Sequence, residues 1–243
     1  SFATGRAKWS KPAANAVKAE VYSWTAKVEN GGAADLNTAL TAITAVETAT
    51  PLNLLTDFAS IFSSKGNNEI IMALRLADGE GATGYTNYMY GATISACAPA
   101  ADKNYIDVQN AGSISNHAWQ LSPVVRAAFA SDDLRKRPTY IDLFTYNATT
   151  CAQTSYNANV VTKFKGSVIN GQREFYDDVI IFRLADIILM KAEIKNALGI
   201  DPSTEINQIR QRAYGTEPII GGVVLSHKYV NGTPAQNDAA ILQ

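Results

Sequence analysis

Net charge, histidine, cysteine and long apolar runs are all scarce in this chain of 243 residues, and each shortage removes a class of function. Lys plus Arg number 21 and Asp plus Glu 22, so no excess of either sign is available to draw in a polyanion over long range. Nucleic acid is therefore not an expected partner. The longest apolar run, VIIFRLADIILM from Val179 to Met190, contains Arg183 and Asp186 and falls short of the roughly 18 residues that a membrane-spanning helix needs. The opening SFATGRAKWSKP has neither the basic start nor the apolar middle of a signal peptide, so localisation is not read from it. The two histidines, His117 and His227, come with no HExxH and no GxSxG, and both read as loop residues; no catalytic residue is assigned. Cys97 and Cys151 lack CxxC spacing for zinc and are too few to staple a scaffold. Two separate thiols are expected, with one bridge closing a long loop open to them in an oxidising compartment. No DxDxDG pattern for calcium occurs, and neither a metal site nor a cofactor is assigned.

What is present is apolar material in helical register. At 47% hydrophobic residues the chain is long enough to bury roughly 70–75% of its unfolded surface. From Lys8 to Val28, Trp9, Ala13, Val17, Val21, Trp24 and Val28 recur at three- and four-residue steps, which predicts a helix with these on one face. The glycines of NGGAA at 30–34 supply a stop, and Asp35 reads as the N-cap of a second helix carrying Leu36, Ala39, Leu40, Ile43 and Val46. A second pair is predicted near the C-terminus: Asp178 to Leu198, stopped by Gly199, then Thr204 to Ala213 capped by Asp201-Pro202-Ser203. Asp177-Asp178 serves as cap and dipole partner for the first of these, and Asp132-Asp133 is no better placed for glycoside hydrolysis, which needs acids on both sides of the bond. Two hairpins separated by an insertion suggest a helical-repeat scaffold. The expected architecture is mainly α: tetratricopeptide-like helical hairpins with a long loop-rich insertion containing short strands. The expected domain is single, with a helical pair at 1–50, the insertion at 51–177, a second pair at 178–214 and a tail at 215–243.

Within the insertion, EIIMALRLAD from Glu69 to Asp78 looks like a strand, and Ser122 to Ala130 like a short helix. GEGATG, with Gly79, Gly81 and Gly84, has the form of a dinucleotide fingerprint. It is read as a decoy, because YTNYMYGATIS follows in place of the helix that should receive a pyrophosphate. Tyrosine is dense here, at Tyr85, Tyr88, Tyr90, Tyr105, Tyr140, Tyr146 and Tyr156, and Trp119 stands near Asn116 and Gln120. Aromatic faces stack on sugar rings while carboxamides bond hydroxyls, so Trp119, Tyr88, Tyr90, Tyr85 and Asn116 are the candidate ligand-binding residues. The competing role for any one tyrosine is to anchor a region poor in aliphatic core. Charges inside the apolar C-terminal helix need partners; Arg183 and Asp186 are spaced to pair, and Glu193 is expected to meet Arg210 or Arg212.

Several of these segments resemble the SusD/RagB family in the same order. Arg183-Leu-Ala-Asp186, Leu189-Met190 and Ala192-Glu193, followed by Ile206-Asn207, Arg210 and Arg212-Ala213, are similar to its signature helices. Asn68-Glu69-Ile70-Ile71 resembles its NEIIF-like strand, Lys163-Phe164 its lysine-aromatic step, and Gly5-Arg6-Ala7-Lys8 the opening of its alanine-rich helix. Asp132 to Arg135 departs from its Asp-Pro-Arg pattern by one extra residue and no proline. The resemblance implies a fragment of a longer family member: a surface-exposed outer-membrane lipoprotein of Bacteroidetes whose anchor cysteine is not in this chain. It further implies capture of oligosaccharide, or in some members peptide, as a lid over a SusC-like TonB-dependent transporter, without catalysis. A helical-repeat module binding another protein remains the alternative.

Overall fold

A computed structural model describes residues 6–77, 94–106, 119–215, 219–220, 223–224 and 227–242. Among these the helices are α1 (Lys11–Val28), α2 (Gly32–Glu47), α3 (Ser60–Ser63), α4 (Ala100–Ile106), α5 (Pro123–Ala127), α6 (Lys136–Thr139), α7 (Leu184–Ala197), α8 (Ser203–Tyr214) and α9 (Pro234–Ile241). The strands are β1 (Ile70–Leu74), β2 (Tyr140–Tyr146), β3 (Gln153–Val161), β4 (Ser167–Ile169), β5 (Gln172–Glu174), β6 (Val179–Arg183), β7 (Ile219–Ile220) and β8 (Val223–Val224). The described residues cluster into two compact units, one from 1–57, 64–74 and 179–243, the other from 58–63 and 75–178.

The first unit is built on α1 and α2. Ser10 caps α1 by accepting from the Ala13 amide, and Pro12 sits where its missing N–H costs nothing. The buried residues of α1 are Pro12, Ala13, Ala16 and Ala19; of the stripe that the periodicity picked out, Ala13 is buried and Val17 packs against the core. Trp9, Val21, Trp24 and Val28 are all exposed. Small alanines let α1 approach the Leu36, Ala39, Ala42, Ile43 and Val46 face of α2 closely, and the four exposed residues are left outward. Glu29 caps α1 and Asn30 takes the left-handed turn, with φ at 60°. Asp35 is not the N-cap of α2: the helix already starts at Gly32, and Asp35 folds back to accept from the Thr25 hydroxyl at 2.6 Å. That fold-back needs Gly31, where a Cβ would lie 1.8 Å from the Asp35 carboxylate.

The C-terminal pair also forms, with a shifted start. Residues 179–183 are strand, pairing antiparallel with β1, and the helix begins only at Leu184. An apolar run rich in Val and Ile is ambiguous between the two states, and the complementary β1 run decides it. Asp177 and Asp178 therefore precede a strand and cap no helix; Asp177 accepts from the Gly166 amide at 2.8 Å. The Arg183–Asp186 pair is present at 3.1 Å, and Asp186 also accepts from the Arg183 backbone N–H at the start of α7. Gly199, with φ at 71°, ends this helical segment as expected. Glu193 meets neither Arg210 nor Arg212. It pairs with Lys27 at 3.5 Å, while Arg212 donates to the fully buried Glu69 at 2.6 Å. Glu69 also accepts from the Leu55 amide, so one carboxylate ties the 52–55 segment and β1 to α8. In the tail, α9 begins at Pro234 with a Thr233–Gln236 capping box and packs on Ala192 and Ile206.

The second unit holds α3 to α6 and two hairpins, β2–β3 and β4–β5. Phe58, Phe62 and Phe164 stack edge-on at 5.3 and 5.4 Å, with the Lys163 ammonium 4.5 Å above the Phe62 ring. Cys97 and Cys151 are joined in a disulfide, against the expectation of two thiols. It fastens the segment before α4 to the turn of the β2–β3 hairpin, a contact between residues 54 apart that spacing alone does not foreshadow.

Candidate ligand-binding surface

Of the five candidate residues, Tyr85, Tyr88, Tyr90 and Asn116 lie outside the described residues, as do the three glycines of GEGATG and His117. Trp119 is described and is 53% exposed. Beside it in sequence, Gln120 leads into a polar cluster on the β2–β3 hairpin.

The hairpin's register explains the cluster. Asp142 faces Asn159 and Leu143 faces Ala158, but Phe144 faces Tyr156, so Asn157 is an extra residue in β3. Strict alternation would put Tyr156 and Asn159 on opposite faces; the bulge at Asn157 brings both to the face that carries Tyr140, Asp142 and Phe144. Asn159, fully buried, accepts from the Leu121 amide at 2.9 Å and donates to the Leu121 carbonyl at 3.1 Å and to the Tyr156 hydroxyl at 2.9 Å. Tyr156 in turn donates to Gln120 Oε1 at 3.2 Å, and the Asn159 backbone N–H donates to the same oxygen at 3.2 Å.

Arg126 completes the arrangement from α5. Ser122 caps that short helix, and Arg126 reaches Asp142 through Nε at 2.8 Å and Nη2 at 2.7 Å. Its guanidinium lies 4.1 Å from the centre of the Tyr156 ring, which also meets Phe144 edge-on at 6.2 Å. Tyr140 underlies the helix: its hydroxyl donates to the Arg126 carbonyl at 3.2 Å, and burial, with Asp142 adding to it and Arg126 opposing, holds the phenol above its ordinary pKa. Tyr140 is thus a core residue. Tyr156, 41% exposed, has one ring face taken by Arg126 and its hydroxyl spent on Gln120 and Asn159. The surface can stack an apolar ring face and offer hydrogen bonds, and its one ion pair leaves no uncompensated charge among the described groups. Sequence reasoning named Trp119 and Tyr156 and placed Gln120 near the site, but missed Asn159, Arg126 and Asp142. The bulge that unites them leaves no signature in residue type.

A cavity of about 290 Å³ in the other unit lies between α8 and residues 227–228. Its polar groups are engaged in packing. Asn207 exchanges two hydrogen bonds with the Tyr229 backbone at 2.9 and 2.7 Å, Arg210 donates to the His227 carbonyl at 3.2 Å, and the His227 ring stacks on Tyr214 at 3.7 Å. This is a seam that holds the tail to α8.

The helical hairpins define a mainly α, tetratricopeptide-like fold, and the strand-and-loop unit has the aromatic and carboxamide surface. The family model described as SusD family matches residues 136–218. A SusD superfamily protein from Bacteroides fragilis NCTC 9343 superposes with a TM-score of 0.80 at 29% identity, over 98% of this chain and 50% of that one. NanU of B. fragilis gives 0.74 at 27% identity, over 98% and 53%. A structure solved with xylogluco-oligosaccharide gives 0.66 at 18% identity, over 99% and 50%, a likeness of fold. No curated protein matches the sequence. The chain is similar to the SusD family over residues 136–218 and spans about half the length of the solved structures it matches.

Proposed function

We propose that the protein binds oligosaccharide at the outer face of the cell and delivers it to a SusC-like TonB-dependent outer-membrane transporter. The observation that carries this reading is the exposed Trp119 beside the Gln120–Tyr156–Asn159 cluster, an aromatic and carboxamide surface suited to sugar rings and hydroxyls. The fold it shares with a structure solved with xylogluco-oligosaccharide supports the same class of ligand. The Cys97–Cys151 bridge supports an oxidising compartment, consistent with a surface lipoprotein. Balanced charge on the chain favours a neutral glycan over a polyanion.

Recognition of this kind needs no bond cleavage, so Tyr85, Tyr88, Tyr90 and Asn116 are proposed together with Trp119 as ligand contacts and none as a catalyst. Affinity electrophoresis through gels containing different polysaccharides tests the ligand class: retardation by at least one glycan is expected. Retardation by none, with peptides bound instead, favours the peptide-binding alternative. Release of shortened products on prolonged incubation contradicts the non-catalytic role. Co-purification of a TonB-dependent transporter from solubilised outer membranes tests the partner.

A further inference from the structure

We infer that Gln120 is a specificity-determining residue that presents hydrogen-bond donors only, and that the glycan it selects carries an acetamido carbonyl. This rests on the reading of the surface as a glycan site. It begins from two backbone groups whose roles are fixed. The Leu121 N–H can only donate and the Leu121 carbonyl can only accept, so the Asn159 side chain that meets both has its oxygen toward the first and its nitrogen toward the second. The Asn159 nitrogen then donates to the Tyr156 hydroxyl at 2.9 Å, which uses that hydroxyl's accepting side and sends its proton on to Gln120. The Asn159 backbone N–H, again a donor only, meets the same Gln120 atom at 3.2 Å. Two donors converge on one Gln120 atom, which is therefore Oε1; the orientation of the carboxamide follows from the backbone and needs no choice.

The consequence is directional. The relay begins in a fully buried Asn159 and ends on an exposed Gln120 whose acceptor is saturated from beneath. Gln120 is exposed, and among the described residues nothing accepts from its Nε2. At the Gln120 carboxamide a ligand therefore meets donors and no free acceptor. A sugar hydroxyl can accept from Nε2 but must then place its own proton elsewhere; a carbonyl oxygen has no proton to place and is the better complement. A carboxylate would gain from an unpaired cation, yet Arg126 is already committed to Asp142 at 2.7 and 2.8 Å. The neutral acyl carbonyl of an N-acetylated amino sugar is the group that fits. Tyr156 and Asn159 act on the ligand through Gln120 and are positioning residues.

Matched β-1,4-linked probes test this: chito-oligosaccharide, with an acetamido group, and cello-oligosaccharide, with a hydroxyl in its place, titrated calorimetrically against the full chain. The wild type is expected to bind the N-acetylated probe about three- to tenfold more tightly, the worth of one exposed hydrogen bond. Gln120→Glu keeps an oxygen for the two buried donors and turns an acceptor outward, so its melting temperature should be unchanged while the preference disappears. Gln120→Ala should lose the same preference without adding charge. Equal affinity of the wild type for both probes, tighter binding of the cello probe, or a preference that survives in both variants overturns the inference. Wild type that binds other glycans and neither of these probes overturns it too, while leaving glycan binding standing. Failure to bind any oligosaccharide at all is instead a failure of the proposed function.

Discussion

At Glu69 a carboxylate with no solvent exposure meets Arg212, whose side chain is 5% exposed, at 2.6 Å, with Arg183 at 3.9 Å and the Leu55 amide on its second oxygen. Removing one partner strands a buried charge, so Glu69→Ala should cost roughly 3–5 kcal/mol in urea unfolding. The Lys27–Glu193 pair has both side chains largely in solvent, and Lys27→Ala should change stability by about 0–1 kcal/mol. The contrast checks whether the network at Glu69, and not ion pairing in general, holds α8 to β1. Lys191 adds a pH signature. Burial lowers the pKa of its ammonium, but Glu47 at 2.9 Å and Glu205 at 3.7 Å more than reverse this and hold it above the ordinary lysine value. A folded pKa above the unfolded one stabilises fully below the unfolded value and is lost as pH rises through the folded value. Stability from this triad should therefore be flat from neutral pH to the ordinary lysine range and fall only above it, as followed by melting temperature against pH.

On α1, alanines are the buried residues, and Trp9, Val21, Trp24 and Val28 of the apolar stripe face out. Ala16→Leu should overpack the seam and cost about 1–3 kcal/mol. Trp24→Ser, on the exposed stripe, should leave the unfolding free energy of this chain within about 0.5 kcal/mol. Periodicity located the helix and its register correctly; which of two apolar faces is buried depends on what its neighbour offers, and α2 offers a face with alanines at 39 and 42. The same logic separates success from failure elsewhere. Gly199 and Asp201-Pro202-Ser203 marked the α7–α8 turn, because turn chemistry is local. The strand at 179–183 was read as helix, because only pairing with β1 distinguishes the two. At the candidate site Trp119 was legible as an aromatic in a polar stretch. Asn159, Arg126 and Asp142 were not, since a one-residue bulge and a contact from α5 create their proximity. The disulfide was illegible for a related reason: it joins segments 54 residues apart. Closing a loop of that length is worth about 4 kcal/mol on a chain-entropy basis, so paired Cys97→Ser and Cys151→Ser substitution should lower stability by roughly 2–5 kcal/mol in denaturant titration.

For the molecule as a whole, one unit is a helical scaffold stitched by Glu69, and the other is a strand-and-loop unit stapled by a disulfide and bearing the exposed aromatic surface. The regular helices are set by local pattern and the irregular unit by tertiary contacts. The segments from Arg183 to Ala213 that resemble the SusD/RagB signature helices are built from apolar packing and internal ion pairs, so that resemblance bears on the fold. The most direct test of glycan capture is an isothermal titration of the chain and of Trp119→Ala with the oligosaccharide that retards the wild type most. Saturable binding by the wild type, weakened about tenfold or more by loss of an exposed stacking indole at unchanged melting temperature, is the expected result. Equal affinity of the variant and the wild type contradicts the assignment of this surface as the site.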